Sequence, residues 1–165
     1  MNTIRKWIGQ IVPFFVCWLF SSCQNITQGG NSLANAWIDA LNRHDTIAIA
    51  GMYDDSATIE SPNWEGRKKG PAEIRTIYRR YFSSAPDLTQ KITHLVVTDS
   101  CLVIEYDSWG TLQHPEELTP EYMRGKKYLL HNCIRMNLAK GKIIRQTTYF
   151  DQVSFLSQMG FFDER

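Results

Sequence analysis

The chain has 165 residues, with 18 basic against 17 acidic side chains, so no charge excess points to nucleic acid as a partner. Hydrophobic residues make up 43% and aromatic residues 12%, which fits a globular domain with a real core. No internal repeat or low-complexity block is visible, and the one basic knot, "GRKKG" at 66–70, reads as a solvated turn.

The N-terminal run "MNTIRKW" supplies Arg5 and Lys6. It is followed by "WIGQIVPFFVCWLF", an apolar stretch too short and too interrupted to span a membrane comfortably. "LFSSC" then sets Ser21 and Ser22 directly before Cys23. This segment resembles a bacterial lipoprotein signal. The resemblance implies cleavage before Cys23, a diacylglyceryl group on its thiol, and a membrane-anchored lipoprotein of the cell envelope. The expected organisation is a signal peptide over 1–22, a flexible polar tether over 23–32 and one domain over 33–165.

Ala34, Trp37, Ile38 and Leu41 recur at helical spacing, with Ser32 as cap and "NRHD" as the stop. Asp45 is placed to cap a second helix over roughly Thr46–Tyr53. "SATIES" reads as a short strand ending at Pro62, and Gly70-Pro71 opens a third helix with Ile74, Ile77, Tyr78 and Tyr81 as its apolar stripe. Strands follow over about 88–98, 101–110, 126–138 and 142–150, the last two joined by a tight turn at "AKGK". The connection at 110–126 is long for a compact domain, as lids and mobile insertions are. A last helix over about 152–159 stops at Gly160. Helices first and a mostly antiparallel sheet after predict an α+β fold. Cys101 and Cys133 lie in strand runs; free thiols are the default expectation, and pairing depends on positions. No metal-ligand spacing occurs among the scattered His44, His94, His114 and His131.

The stretch "AWIDALNRHDTIAIAGMYDDSATIESPNWEGRKKGPAEIRTIYRRYF" resembles the opening of the nuclear transport factor 2-like superfamily, and more narrowly its SnoaL-like, polyketide cyclase-like branch. "GKIIRQTTYFDQVSFLSQMG" is similar to the same family's closing strand and tail. The likeness spans about residues 33–160 and implies a curved, mostly antiparallel sheet wrapped by N-terminal helices into a cone, with a pocket between them. No cofactor is expected, and because the superfamily's open sheet face often forms dimers, a homodimer is one of the readings left open. Ketosteroid isomerases are similar in these stretches, yet their base, oxyanion-hole tyrosine and protonated acid fall on Ser61, Trp37 and Asn132 here, so that chemistry is not expected.

Strand alternation puts Ile143, Arg145, Thr147, Tyr149 and Asp151 on one face of the last strand. On the strand before it, Tyr128, Leu130, Asn132, Ile134 and Met136 share the face that reads as pocket lining. Trp37, Tyr53, Trp64, Asn132, Ile134 and Tyr149 are therefore the expected pocket residues, for a small apolar or aromatic ligand. Asp151 is the one plausible acid–base residue, but it also stands where a helix N-cap belongs. Three readings follow: a lipid-anchored module that binds a small apolar molecule, an acid–base enzyme using Asp151, or a dimerising interaction module.

Overall fold

The computed structural model describes residues 29–116 and 119–163, so the expected signal peptide and Cys23 lie outside the described residues. The first helix, α1, occupies residues 29–42. It therefore takes in residues 29–32, which the sequence assigns to the tether, and Ser32 lies inside it rather than at its cap. The physical reason is packing: a Cβ on Gly30 would meet Val97 Cγ1 at 2.3 Å and Leu102 Cδ2 at 3.1 Å, so only glycine lets the helix lie this close to the sheet. His44 ends the turn after α1 at φ 55°, and its ring stacks on Phe82 with centroids 4.2 Å apart.

The second helix, α2, spans Thr46–Gly51 and is capped by Asp45, whose carboxylate accepts from Ile47 N at 3.2 Å and Ala48 N at 2.9 Å. It stops before Tyr53, which instead opens strand β1, Tyr53–Glu60. Part of the basic knot forms a two-residue strand, β2 (Lys68–Lys69), paired with Thr58 and Ile59. Helix α3, Gly70–Ser84, has Pro71 in its first turn and buries Ile74, Ile77, Tyr78 and Phe82. Strands β3 (Thr89–Val97), β4 (Cys101–Thr111), β5 (Lys127–Ala139) and β6 (Lys142–Phe150) follow. Lys140 and Gly141, both at positive φ, form the two-residue turn between β5 and β6.

The strands form one six-stranded sheet in the order β2-β1-β6-β5-β4-β3. All neighbours are antiparallel except β1 and β6, which run parallel. Helices α1, α2 and α3 cover the concave face of this curved open sheet, and the core lies between the two layers around Trp37, Leu41, Ile59, Ile74, Ile104 and Ile134. Cys101 pairs with Asn137 and Cys133 with Glu105, so the two free thiols stand four rungs apart on neighbouring strands, about 13 Å at strand spacing and out of disulfide reach.

The strand ladders carry two irregularities that aim side chains. Asn137 pairs with Arg145 but Leu138 with Ile143, so Ile144 is an extra residue on β6. Ile92 pairs with Tyr106 but His94 with Glu105, so Thr93 is extra on β3. Each bulge bends its strand and reverses the in–out alternation beyond it.

The long connection after β4 is anchored rather than loose. Leu112 and Met123, the latter on a short 3₁₀ turn at Glu121–Met123, pack with Met159 in a small second core. Helix α4, Gln152–Gln158, lies beside β5, where the Gln158 amide bonds both the N–H and the C=O of Leu129, at 2.8 and 2.9 Å. Asp151 caps α4 by accepting from Ser154 N at 3.0 Å. An Asp151→Asn variant is expected to match the parent in chemical denaturation, because both residues cap well. Asp151→Ala should lose ~0.5–2 kcal/mol, and no loss would show that the cap is dispensable.

Candidate ligand cavity

A cavity of about 300 Å³ lies between the helices and the concave face of the sheet. Its apolar wall comes from Trp37 and Leu41 on α1, Tyr78 and Tyr81 on α3, Tyr106 on β4, Tyr128 and Leu130 on β5, Phe150 on β6 and Phe155 on α4. Trp37 is only 1% exposed and meets Tyr106 edge to face, with ring centroids 5.6 Å apart.

Two neutral amides organise the polar part of the wall. Gln146, 2% exposed, accepts from the Tyr53 hydroxyl through Oε1. Its amide also lies 3.3 Å from the Tyr78 hydroxyl, and its Nε2 donates to Thr148 Oγ1 at 3.2 Å. Asn132 Nδ2 donates to Ser108 Oγ at 2.9 Å and to the Leu130 carbonyl at 3.1 Å. Indole Nε1 of Trp37 acts on the Tyr53 and Tyr78 hydroxyls but makes no well-formed hydrogen bond to either. Gln90 Oε1 and Trp64 Nε1, also on the wall, are buried without partners.

Burial pushes the hydroxyls of Tyr53, Tyr78 and Tyr106 above the usual phenol range, and for Tyr53 the neighbouring Tyr78 adds to it. Burial likewise raises Tyr81 and Tyr128 to about 12. None of these phenols is a base near neutrality. The charged groups on the wall are Arg80 and Glu116, at the rim, in a bidentate pair of 2.9 and 2.7 Å with both side chains half exposed. Among the described residues no histidine lines the cavity: His44 stacks on Phe82, and the exposed His131 bonds Asp107 at 2.7 Å on the outer face of the sheet. Among the described residues no group of His, Cys, Asp and Glu is placed to hold a metal ion.

Of the residues the sequence singles out, Trp37, Trp64 and Asn132 meet at this cavity. Tyr53 stands behind the wall and reaches it through Gln146. Ile134 is fully buried in the core further along β5. Tyr149 is 52% exposed on the outer face, and Asp151 is exposed and bonded to the start of α4. The alternation that grouped Ile143, Tyr149 and Asp151 fails at the Ile144 bulge: Ile143 points into the core, and beyond the bulge Gln146, Thr148 and Phe150 face the cavity instead. The paired isoleucines in "KIIRQTTYF" were the only sign of that break. Ser61, which the resemblance to isomerases sets at their base position, does line the cavity, where it can offer a hydroxyl but no carboxylate.

Solved structures agree on the fold. A SnoaL-like polyketide cyclase from Agrobacterium tumefaciens is 22% identical, with a TM-score of 0.67 over 79% of this chain and 97% of its own. TsrD from Streptomyces laurentii is 19% identical, with a TM-score of 0.69 over 81% and 96%. An LEH-like epoxide hydrolase from M. tuberculosis is 16% identical, with a TM-score of 0.64 over 82% and 91%. At these identities the likeness shows the fold alone. No curated protein matches the sequence. The SnoaL-like domain, in contrast, is matched across residues 34–146, which covers α1 through the middle of β6, and the chain belongs to the SnoaL-like domain family.

Proposed function

We propose that this domain is a binding module for a small, largely apolar, uncharged molecule held in the cavity under α1 and α3. The observation that carries the reading is the neutrality of the wall: among the described residues, beyond the Arg80–Glu116 pair at the rim, its polar atoms are amides, hydroxyls and indoles. An acid–base enzyme needs a group that can exchange a proton near neutral pH, set within hydrogen-bond reach of the substrate. Asp151 is bound to the first turn of α4, outside the wall, and the buried phenols hold their protons. The volume is suited to a compact ligand, and the unpartnered Gln90 Oε1 can take one polar atom of it. The neighbouring cyclases and hydrolase use the same fold for chemistry, which weighs for a ligand in this place but not for turnover.

We further propose that Cys23 carries a lipid and holds the domain at a membrane of the cell envelope. Its support is the "LFSSC" segment alone.

Titration of the protein with the neutral fluorophore phenylnaphthylamine is expected to show saturable binding at one site. A Leu130→Trp substitution, which fills the wall of the cavity, should abolish it with the fold intact by circular dichroism. Unchanged binding in that variant would place the ligand elsewhere and refute the reading. For the anchor, cells fed labelled palmitate should incorporate it into the chain, and Cys23→Ala should remove the label. Label that survives this change would rule Cys23 out.

A further inference from the structure

A second cleft, of about 450 Å³, is bordered by the segment from β1 to β2 and by the end of β6. The parallel register sets Glu60 beside Thr147 and Thr58 beside Arg145. Glu60 accepts a hydrogen bond from Arg67 Nε, which is the main cause holding its carboxyl below the usual range, and it lies 3.3 Å from Arg145 Nη2. Around this ion cluster three buried donors have no partner: Thr147 Oγ1, Trp64 Nε1 and Arg145 Nε. Thr147 is only 9% exposed, and both it and Trp64 line the cleft. Folded proteins leave few such groups, so two of them on the wall of one cleft, with Arg145 Nε behind it, call for a missing partner. Tyr149 adds an aromatic ring, half exposed, to the same wall.

We propose that this cleft binds a saccharide. The polar set decides the class. A carboxylate or phosphate ligand only accepts hydrogen bonds, and it would sit against the Glu60 carboxylate. An ammonium ligand only donates, and it would sit against Arg67 and Arg145. Sugar hydroxyls do both: they donate to Glu60 and accept from Thr147 and Trp64. The Trp64 and Tyr149 rings supply the apolar surface that the C–H face of a pyranose packs against. Ser61, Trp64 and Thr148 line this cleft and the inner cavity alike, so the two sites adjoin, but this site does not depend on what the inner cavity holds.

The test is an NMR titration of the full chain, following the Trp64 indole N–H, assigned with Trp64→Phe. Glucose, galactose, mannose, xylose and N-acetylglucosamine are the probes, each taken to about 0.1 M. At least one sugar should shift that resonance saturably. Thr147→Val, which keeps the shape and removes the hydroxyl, and Tyr149→Ala, at an exposed position, should each weaken the binding about fivefold or more. Both variants should bind phenylnaphthylamine as the parent does. The proposal is overturned if none of the five sugars moves the resonance, if neither substitution weakens the binding, or if acetate produces the saturable shift in their place. Loss of phenylnaphthylamine binding in the parent would count against the inner cavity and leave the saccharide site standing.

Discussion

The side-chain amide of Gln146 ties the helical layer to the sheet, and the cavity takes its form around that tie. It accepts from Tyr53 at the start of β1, meets Tyr78 on α3 and donates to Thr148 on its own strand. A buried amide with its partners removed would cost about 1–3 kcal/mol. The cluster is therefore stable only when complete, and completeness fixes where α3 sits over β6. Gln146 can take this place because Ile144 is an extra residue on its strand. Without that bulge the strand would keep Ile143 and Arg145 on one face, and the guanidinium would be driven into the core.

The same constraint makes the cavity neutral. Trp37, Tyr106 and Tyr128 remove water from the wall, and an isolated charge there would be strongly disfavoured. The charged groups that flank the space have been kept at its margins: Arg80 with Glu116 at the rim, and Glu60 with Arg67 and Arg145 on the far face of β1 and β6. Ile59 lines the cavity while Glu60, one residue on, faces the outer cleft, as strand alternation requires. Among the described residues the wall thus presents an apolar space with amide and hydroxyl contacts.

Much of the architecture is legible in the sequence because it rests on local rules. The Trp37–Leu41 spacing, the Asp45 cap, Pro71 at the start of α3 and the Lys140-Gly141 turn each act within a few residues. Asp151 reads from the sequence as either cap or acid, and its contact with Ser154 N makes it a cap. What the sequence concealed depends on distant contacts. Gly30 enters a helix because Val97 and Leu102 leave no room for a side chain. The Ile144 bulge arises from pairing with β5, and a single extra residue exchanged Tyr149 for Gln146, Thr148 and Phe150 at the cavity. Trp37, Trp64 and Asn132 were found because each precedes or avoids that break.

Among the described residues, neither a histidine nor an unpaired carboxylate faces the ligand space. The direct measurement is the dissociation constant of phenylnaphthylamine as a function of pH. Phenols raised by burial stay protonated, so the constant should be flat between about pH 5 and pH 9. A step in affinity within that window, of about threefold or more, would reveal an ionising group at the ligand and contradict the neutral cavity.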